Sequence, residues 1–188
     1  ARYAKDGFEN EIGNGSIAHN GTFLNNMQIL PSIGYNSRVE MDDNNDRKSN
    51  GMATKERMPK LEYPCGEACD INYLTRGTAD WVDVNTVIST SESQIAIAPG
   101  TLVKEWTENG RNYFNYKIDH ASQNFYSFLS AEYEVARRNW NGIDMEVYYD
   151  AAHSVNVEMM LDAVQRSLEY YTENFGPYYH KQARIIEF

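Results

Sequence analysis

Two Asn-Gly dipeptides constrain the fold of this 188-residue chain more than any other feature of its sequence. Asn109-Gly110 separates residues 102–107 from 112–118, and Asn141-Gly142 separates 125–140 from 143–149. The flanking runs are rich in aromatic and β-branched residues, as strands are. Asn and Gly tolerate the positive φ angles that a two-residue hairpin turn requires. The dipeptides therefore predict two β-hairpins within a mainly β, antiparallel fold.

The C-terminal part of the chain has a helical pattern instead. Apolar side chains recur at the i, i+3, i+4 and i+7 spacing of one helix face, at Val157, Met160, Leu161, Val164, Leu168 and Tyr171. Asn156 or Ser154 can cap the start of this helix, and Gly176 followed by Pro177 ends it. The sequence thus predicts one long amphipathic C-terminal helix.

The change of period near Asp150 predicts a domain boundary. Residues 1–150 form the expected antiparallel β-domain, and residues 151–188 the first helix and strand of a second, truncated domain, with 184–188 as that strand. We therefore expect the chain to be a fragment of a longer polypeptide. The apolar helix face 157–171 must then cover the sheet, self-associate or stay exposed, and we expect a dimer or a loosely attached helix.

Composition excludes several classes of partner. The chain has 27 acidic against 17 basic residues and a net charge of −10, which argues against nucleic acid, since binding its phosphates needs clustered Lys and Arg. No apolar run approaches the roughly 20 residues that span a bilayer, so we expect this piece to be soluble. The 14 tyrosines favour strands with a partly solvated face, where the ring packs and the hydroxyl reaches water. A sugar-binding surface has a similar composition.

Motifs for chemistry are scarce. Cys65 and Cys69 are the only cysteines, and they form either a local disulfide or two free thiols, since a lone pair cannot complete a four-ligand zinc site. The four histidines are scattered without H-E-x-x-H spacing. No nucleophile elbow, phosphate loop or calcium loop is present either. The sequence predicts no catalytic residue and no metal ligand in this chain.

Three segments carry a resemblance to a known family. They are Q-I-A-I-A-P-G-T-L-V-K-E-W-T-E-N-G-R-N-Y-F-N-Y at 94–116, V-N-V-E-M-M-L-D-A-V-Q-R-S-L-E-Y-Y-T-E-N-F-G-P-Y at 155–178, and A-R-I-I-E-F at 183–188. Together they resemble the amino-terminal part of aminopeptidase N-type zinc metallopeptidases. More narrowly, they resemble a bacterial branch in which such a region can follow an ABC-type permease in one polypeptide.

The resemblance implies a saddle-shaped antiparallel β-domain joined to a catalytic domain that begins near residue 151. It implies zinc in the full-length parent but no cofactor in this fragment, because the G-x-M-E-N loop and the H-E-x-x-H helix of the family are absent from the sequence. The fragment alone is then expected to be inactive. Its partners would be the missing catalytic domain of the same polypeptide and, in the parent, a peptide substrate.

One substrate contact is implied within the fragment. In the family, a Gln or Glu on a β-domain strand helps to hold the substrate amino terminus, and the register against residues 28–31 places Asn20 or Thr22 there. Neither is a carboxylate or a Gln, and a turn with an edge strand is the other interpretation. The acidic residues between Glu40 and Asp46 are interpreted as a solvated charge run.

Three functions follow from these observations. The first is a non-catalytic domain that caps the active-site cleft of a metallo-aminopeptidase and limits access to peptide amino termini. The second is a β-sandwich binding module for saccharide or protein. The third is the extracytoplasmic part of a transporter with an inactive peptidase-like region, which leaves the membrane association of the parent open.

Overall fold

A computed structural model describes residues 16–18, 21–31, 41–55 and 81–187. These residues form mainly antiparallel sheets with one long C-terminal helix, which confirms the predicted fold class. The elements, in chain order, are β1 (Ile17–Ala18), β2 (Gly21–Asn25), α1 (Asn26–Ile29), α2 (Asn44–Ser49), β3 (Trp81–Val82), β4 (Asn85–Ser91), β5 (Ile95–Ile97), β6 (Thr101–Glu108), β7 (Arg111–Lys117), β8 (Ser122–Gln123), β9 (Ser127–Ala131), β10 (Glu134–Trp140), β11 (Ile143–Tyr149), a 3-10 helix (Ala151–Asn156), α3 (Val157–Phe175) and β12 (Gln182–Ile186).

Both predicted hairpins are present. Asn109 and Gly110 have φ angles of 51° and 71° and join β6 to β7, while Asn141 and Gly142 have φ angles of 49° and 81° and join β10 to β11. Two successive positive φ angles define the turn whose twist matches that of the flanking strands. The local turn chemistry therefore sets the register of both strand pairs.

The sheets and the helix are stacked in layers. The central sheet has the strand order β1-β2-β9-β5. On one face, Ala96 and Phe128 pack with Phe114 of the sheet β4-β7-β6. On the other face, Ile97 and Leu129 pack with Tyr148 of the sheet β10-β11-β12. Strand alternation thus gives the central sheet two buried faces. The fourth sheet that the described residues form is the short pair β3-β8.

The helix α3 covers the outer face of β10-β11-β12. Val157, Leu161 and Leu168 are buried against Met145 and Val147 of β11. The sequence left open whether the apolar face covers the sheet, self-associates or stays exposed. These three residues of the helix cover the sheet. Other large apolar side chains of the helix are exposed, namely Met159, Met160, Tyr170, Tyr171 and Phe175.

The last strand joins a sheet that begins before the predicted boundary. β12 pairs in parallel with β11. The paired residues run from Asp144 opposite Gln182 to Tyr148 opposite Ile186. Parallel neighbours need a crossover connection, and α3 supplies it, so β11, α3 and β12 form a β-α-β unit. The three-stranded sheet therefore crosses residue 150. The division into domains 1–150 and 151–188 stays a prediction.

The start of the helix differs from the prediction. Asn156 makes no side-chain capping bond to α3. The 3-10 helix lies directly before α3, and the Asp150 carboxylate caps it by accepting a hydrogen bond from the backbone N–H of Ala152 at 2.8 Å. An Asp at this position satisfies a free N–H group as well as Asn or Ser does. The sequence pattern did not predict the Asp150 cap, because the 3-10 helix before α3 moves the capped end upstream of Ser154 and Asn156.

Candidate functional site

A row of charged side chains crosses the inner face of β10-β11-β12. Register places Arg137 of β10 opposite Glu146 of β11, and Glu146 opposite Arg184 of β12. Arg184 Nε donates to Glu146 Oε2 at 2.7 Å, and Arg137 Nε donates to Glu146 Oε1 at 3.1 Å. The Tyr148 hydroxyl donates to Glu146 Oε2 at 3.0 Å. We call these four residues the charged row.

Arg184 also connects the charged row to the central sheet. Its Nη1 donates to the carbonyl oxygen of Gly100 at 3.0 Å and to that of Ala98 at 3.4 Å. Its guanidinium carbon lies 5.5 Å from the centroid of the Tyr116 ring, within the range of a cation–π contact. Arg184 thus binds a carboxylate of β11, two carbonyls of the turn after β5 and an aromatic ring of β7.

Gly100 makes this connection possible. Its φ is +94°, and a Cβ atom added there would lie 2.3 Å from the carbonyl oxygen of Lys117. Only glycine fits such a conformation and such a close approach to neighbouring backbone. The turn after β5 can therefore press against the end of β7 with its carbonyl directed at Arg184.

Burial and charge act in opposite directions on Glu146. Burial raises the pKa of this carboxyl, but the hydrogen bonds and charges of Arg184 and Arg137 outweigh burial and hold the pKa below its ordinary value. Burial, with the nearby Glu146 charge, raises the pKa of Tyr148 to about 12. Glu146 is therefore ionised with its oxygens engaged, and Tyr148 is a neutral donor. This arrangement suits holding sheets together rather than moving a proton.

The opposite face of the same sheet has its own ionic link to the helix. Arg138 Nη1 donates to Asp162 at 2.6 Å, and its Nη2 donates to Glu158 at 2.9 Å. Both carboxylates belong to α3, one turn apart. Because both carboxylates are largely exposed, each pair contributes little to stability. The pairs orient the helix, whose attachment rests on the apolar contacts.

The Glu187 side chain binds residues at the start of the 3-10 helix. Its carboxylate accepts from the backbone N–H of Asp150 at 2.7 Å and contacts His153 Nδ1. Its own backbone carbonyl accepts from the Tyr133 hydroxyl at 2.9 Å. The hydrogen bond to Glu187 and the charge of that carboxylate raise the pKa of His153. Residues 150 and 153 are thereby fixed to the residue that follows β12.

The raised pKa of His153 predicts a pH dependence of stability. A histidine whose folded pKa exceeds its unfolded value near 6.5 stabilises the fold fully below about pH 6.5 and loses that contribution as the pH rises through the folded pKa. We expect the melting temperature of the wild type to fall more between about pH 6 and pH 8 than that of His153→Gln. Thermal unfolding followed by circular dichroism at several pH values measures this.

Glu187→Gln is the matched variant for this titration. Its amide oxygen can still accept from the Asp150 N–H, while the charge that raises the pKa of His153 is gone. The melting temperature of this variant should have the same flattened pH profile as that of His153→Gln. Parallel profiles for the wild type and both variants would contradict the assigned pair.

The residues that the sequence nominated lie apart from the charged row. Thr22 is half-buried in β2, where it pairs with Ile17 of β1 and Ser130 of β9. Ser130 pairs in turn with the buried Ala96, so Thr22 shares the face directed at β4-β7-β6. Asn20, Cys65 and Cys69 lie outside the described residues. The substrate role of Asn20 or Thr22 and the disulfide stay predictions.

Part of the acidic stretch has local structural roles. The Asp43 carboxylate accepts from the backbone N–H groups of Asn45 and Asp46 and so caps α2. Asp42 pairs with Lys55. Glu40 lies outside the described residues.

The donor groups do not fit the catalytic zinc that the family resemblance implies. Within 16–18, 21–31, 41–55 and 81–187, no group of three or more His, Cys, Asp or Glu side chains could hold a metal ion. The sequence also lacks the H-E-x-x-H motif. No helix in the same ranges is long and apolar enough to cross a bilayer.

Sequence reasoning missed the charged row, although one signal of it was visible. Arg184 lies between Ala183 and Ile185 in the final strand, so strand alternation directs it to the face opposite these apolar neighbours. A charged side chain on a covered face needs a partner. Pairing Arg184 with Glu146 required the parallel register of β11 and β12, which the sequence does not show.

The layered arrangement is similar to part of a solved protein structure. No family model and no curated protein matches the sequence. Among solved structures, the chain is similar to a mutant M1 zinc metallopeptidase from Deinococcus radiodurans bound to a Tyr-Ser-Ala substrate, with a TM-score of 0.51 and 16% identity over 60% of this chain and 29% of that chain. The fold resembles the amino-terminal domain of that class of enzyme. The chain spans under a third of the length of that structure.

Proposed function

We propose that this chain is the non-catalytic β-domain of a zinc metallo-aminopeptidase. In the full-length polypeptide it caps the active-site cleft and limits access to peptide amino termini. The single observation that carries this proposal is the likeness to the metallopeptidase fold, which covers 60% of this chain but 29% of the other. In this proposal zinc and the groups that activate water lie in another part of the polypeptide.

The contacts of the charged row support a positioning role. A cap limits access only if it keeps its position, and Arg184 ties β12 to Glu146 of β11 and to the Gly100 carbonyl beside the central sheet. The β-α-β unit is then held against the β layers by the polar contacts on the inner face of its sheet, while α3 covers the outer face. We propose that residues 1–150 form the cap and that residues 151–188 begin the catalytic domain that it covers.

Thr22 or Asn20 would supply the contact to the substrate amino terminus in this proposal. A Thr hydroxyl can accept one hydrogen bond from an ammonium group, but it carries no charge. The contact would therefore be weaker than that of an ionised Glu. The narrower resemblance to the branch joined to an ABC-type permease stays a prediction.

The test compares this chain with the full-length product of its gene. We expect the full-length protein to bind zinc and to hydrolyse amino-acid anilides, and this chain to do neither. Removal of zinc with a chelator should abolish hydrolysis, and added zinc should restore it. A contaminating peptidase that uses no metal would not respond in this way. Hydrolysis by this chain alone, or a full-length protein without zinc and without hydrolysis, would overturn the proposal.

A further inference from the structure

Two histidines from distant parts of the chain lie side by side on the surface. His120 follows β7, and His180 precedes β12. Their ring centroids are 5.5 Å apart with an interplanar angle of 34°. A metal bound at 2.0–2.1 Å to a ring nitrogen lies about 3.2 Å from that ring centroid, so two imidazoles on one tetrahedral ion have centroids about 5 Å apart. The observed separation is close to that spacing.

Asp119 orients the first of these rings. Its Oδ1 lies 2.8 Å from His120 Nδ1. A carboxylate that accepts from Nδ1–H fixes the tautomer in which Nε2 carries a free lone pair, and this is the usual arrangement behind a metal-binding histidine. The His120 side chain is 50% exposed, so a hydrated ion can reach it. Asp119 thus prepares the Nε2 atom of His120 as a ligand.

Neighbouring contacts hold the second ring near the first. The Tyr178 ring meets His180 edge to face, with centroids 5.3 Å apart. Lys181 Nζ donates to Asp119 Oδ2 at 2.5 Å, so the residue after His180 binds the same carboxylate that orients His120. The Lys181 carbonyl in turn accepts from the Asp144 N–H at 2.8 Å, which joins this segment to β11. The two histidines are therefore brought together by the fold around them.

We propose that His120 and His180 form a surface site for one divalent transition-metal ion such as Zn²⁺ or Cu²⁺. Two imidazole nitrogens and water complete the coordination, and imidazole selects these ions over Mg²⁺ and Ca²⁺, which prefer oxygen. The bound ion joins the turn after β7 to the segment between α3 and β12. It therefore fixes the β-α-β unit to the β layers from outside. This site is separate from the catalytic zinc of the proposed function.

The test is calorimetric titration of this chain with Zn²⁺, with Mg²⁺ titrated in parallel. We expect one saturable Zn²⁺ site and no Mg²⁺ binding. His120→Ala and His180→Ala should each remove the site, and Asp119→Asn should weaken it by about tenfold because the orienting charge is lost. Zn²⁺ should also raise the melting temperature of the wild type but not of either alanine variant, since the ion binds the folded pair alone.

His153→Ala is the matched control for this site. His153 is also exposed, at 57%, and also bonded to a carboxylate, that of Glu187, but it has no contact with His120 or His180 among the described residues. The His153→Ala variant should therefore bind Zn²⁺ as the wild type does. The proposal is overturned if the wild type shows no saturable site, if His180→Ala binds Zn²⁺ as the wild type does, or if His153→Ala removes as much binding as His120→Ala.

Discussion

Replacement of Arg184 by Ala should destabilise the protein by about 3 kcal/mol, the largest effect that we expect from a single polar side chain here. The reason is what the substitution leaves behind. The side chains of Arg184 and Glu146 are each only 13% exposed. Without Arg184, the Glu146 carboxylate keeps a poorly solvated charge, and the carbonyl of Gly100 loses its donor. Removing one partner of a buried pair costs far more than the pair contributes to stability.

Arg137→Ala is the matched control because Arg137 binds the other oxygen of the same carboxylate. Its side chain is 63% exposed, so water can replace most of its contacts. We expect a loss of about 0.5–1 kcal/mol. Urea unfolding with equal m-values for all variants measures both effects. Equal losses for Arg184→Ala and Arg137→Ala would show that burial of the Arg184–Glu146 pair does not control stability.

A double variant separates the pair from its surroundings. In Glu146→Met with Arg184→Met, no buried charge is left without a partner, because Arg137, which also loses Glu146, is 63% exposed. The Gly100 carbonyl still lacks its donor, and the Tyr148 hydroxyl lacks its acceptor. Apolar replacement of both members of a buried ion pair is often close to neutral. The double variant should therefore be more stable than Arg184→Ala. A greater loss in the double variant would indicate that the carbonyl contacts dominate the role of Arg184.

The sequence predicted those parts of the fold that local chemistry determines. The turns at Asn109-Gly110 and Asn141-Gly142 depend on the φ preferences of two adjacent residues, and the helix depends on a spacing within α3. Both signals lie within a few residues of the structure that they specify. The prediction of mainly antiparallel β structure with one long C-terminal helix was correct for this reason.

The parts that the sequence did not predict depend on partners far along the chain. Arg184 lies 38 residues from Glu146 and 84 residues from Gly100, and no local pattern joins them. The five residues of β12 indicate a strand but not its neighbour, so the sequence did not predict its parallel pairing with β11. His120 and His180 belong to the four scattered histidines, and no spacing motif joins them. The Arg184–Glu146 contact follows from the β-α-β crossover, and the other two contacts also need the packing of the sheets on one another.

Attachment of α3 to the sheet gives the second large effect. Leu161 is 2% exposed and lies in one cluster with Met145 and Val147, which are 0% and 1% exposed. Leu161→Ala removes one methine and two methyl carbons and leaves a cavity between helix and sheet, at a cost of about 3 kcal/mol. Urea unfolding measures the loss, and amide hydrogen exchange of residues 157–175 should rise with it.

Met159→Ala tests whether that loss depends on packing against the sheet. Met159 lies on the same helix but is 63% exposed, so the same kind of truncation should change stability by no more than about 0.5 kcal/mol. A helix held loosely would respond equally to both substitutions, and its amides would exchange rapidly in the wild type. A large difference between Leu161→Ala and Met159→Ala would instead mean that α3 is an integral layer of this fold, because only one side of the helix would then contribute to its stability.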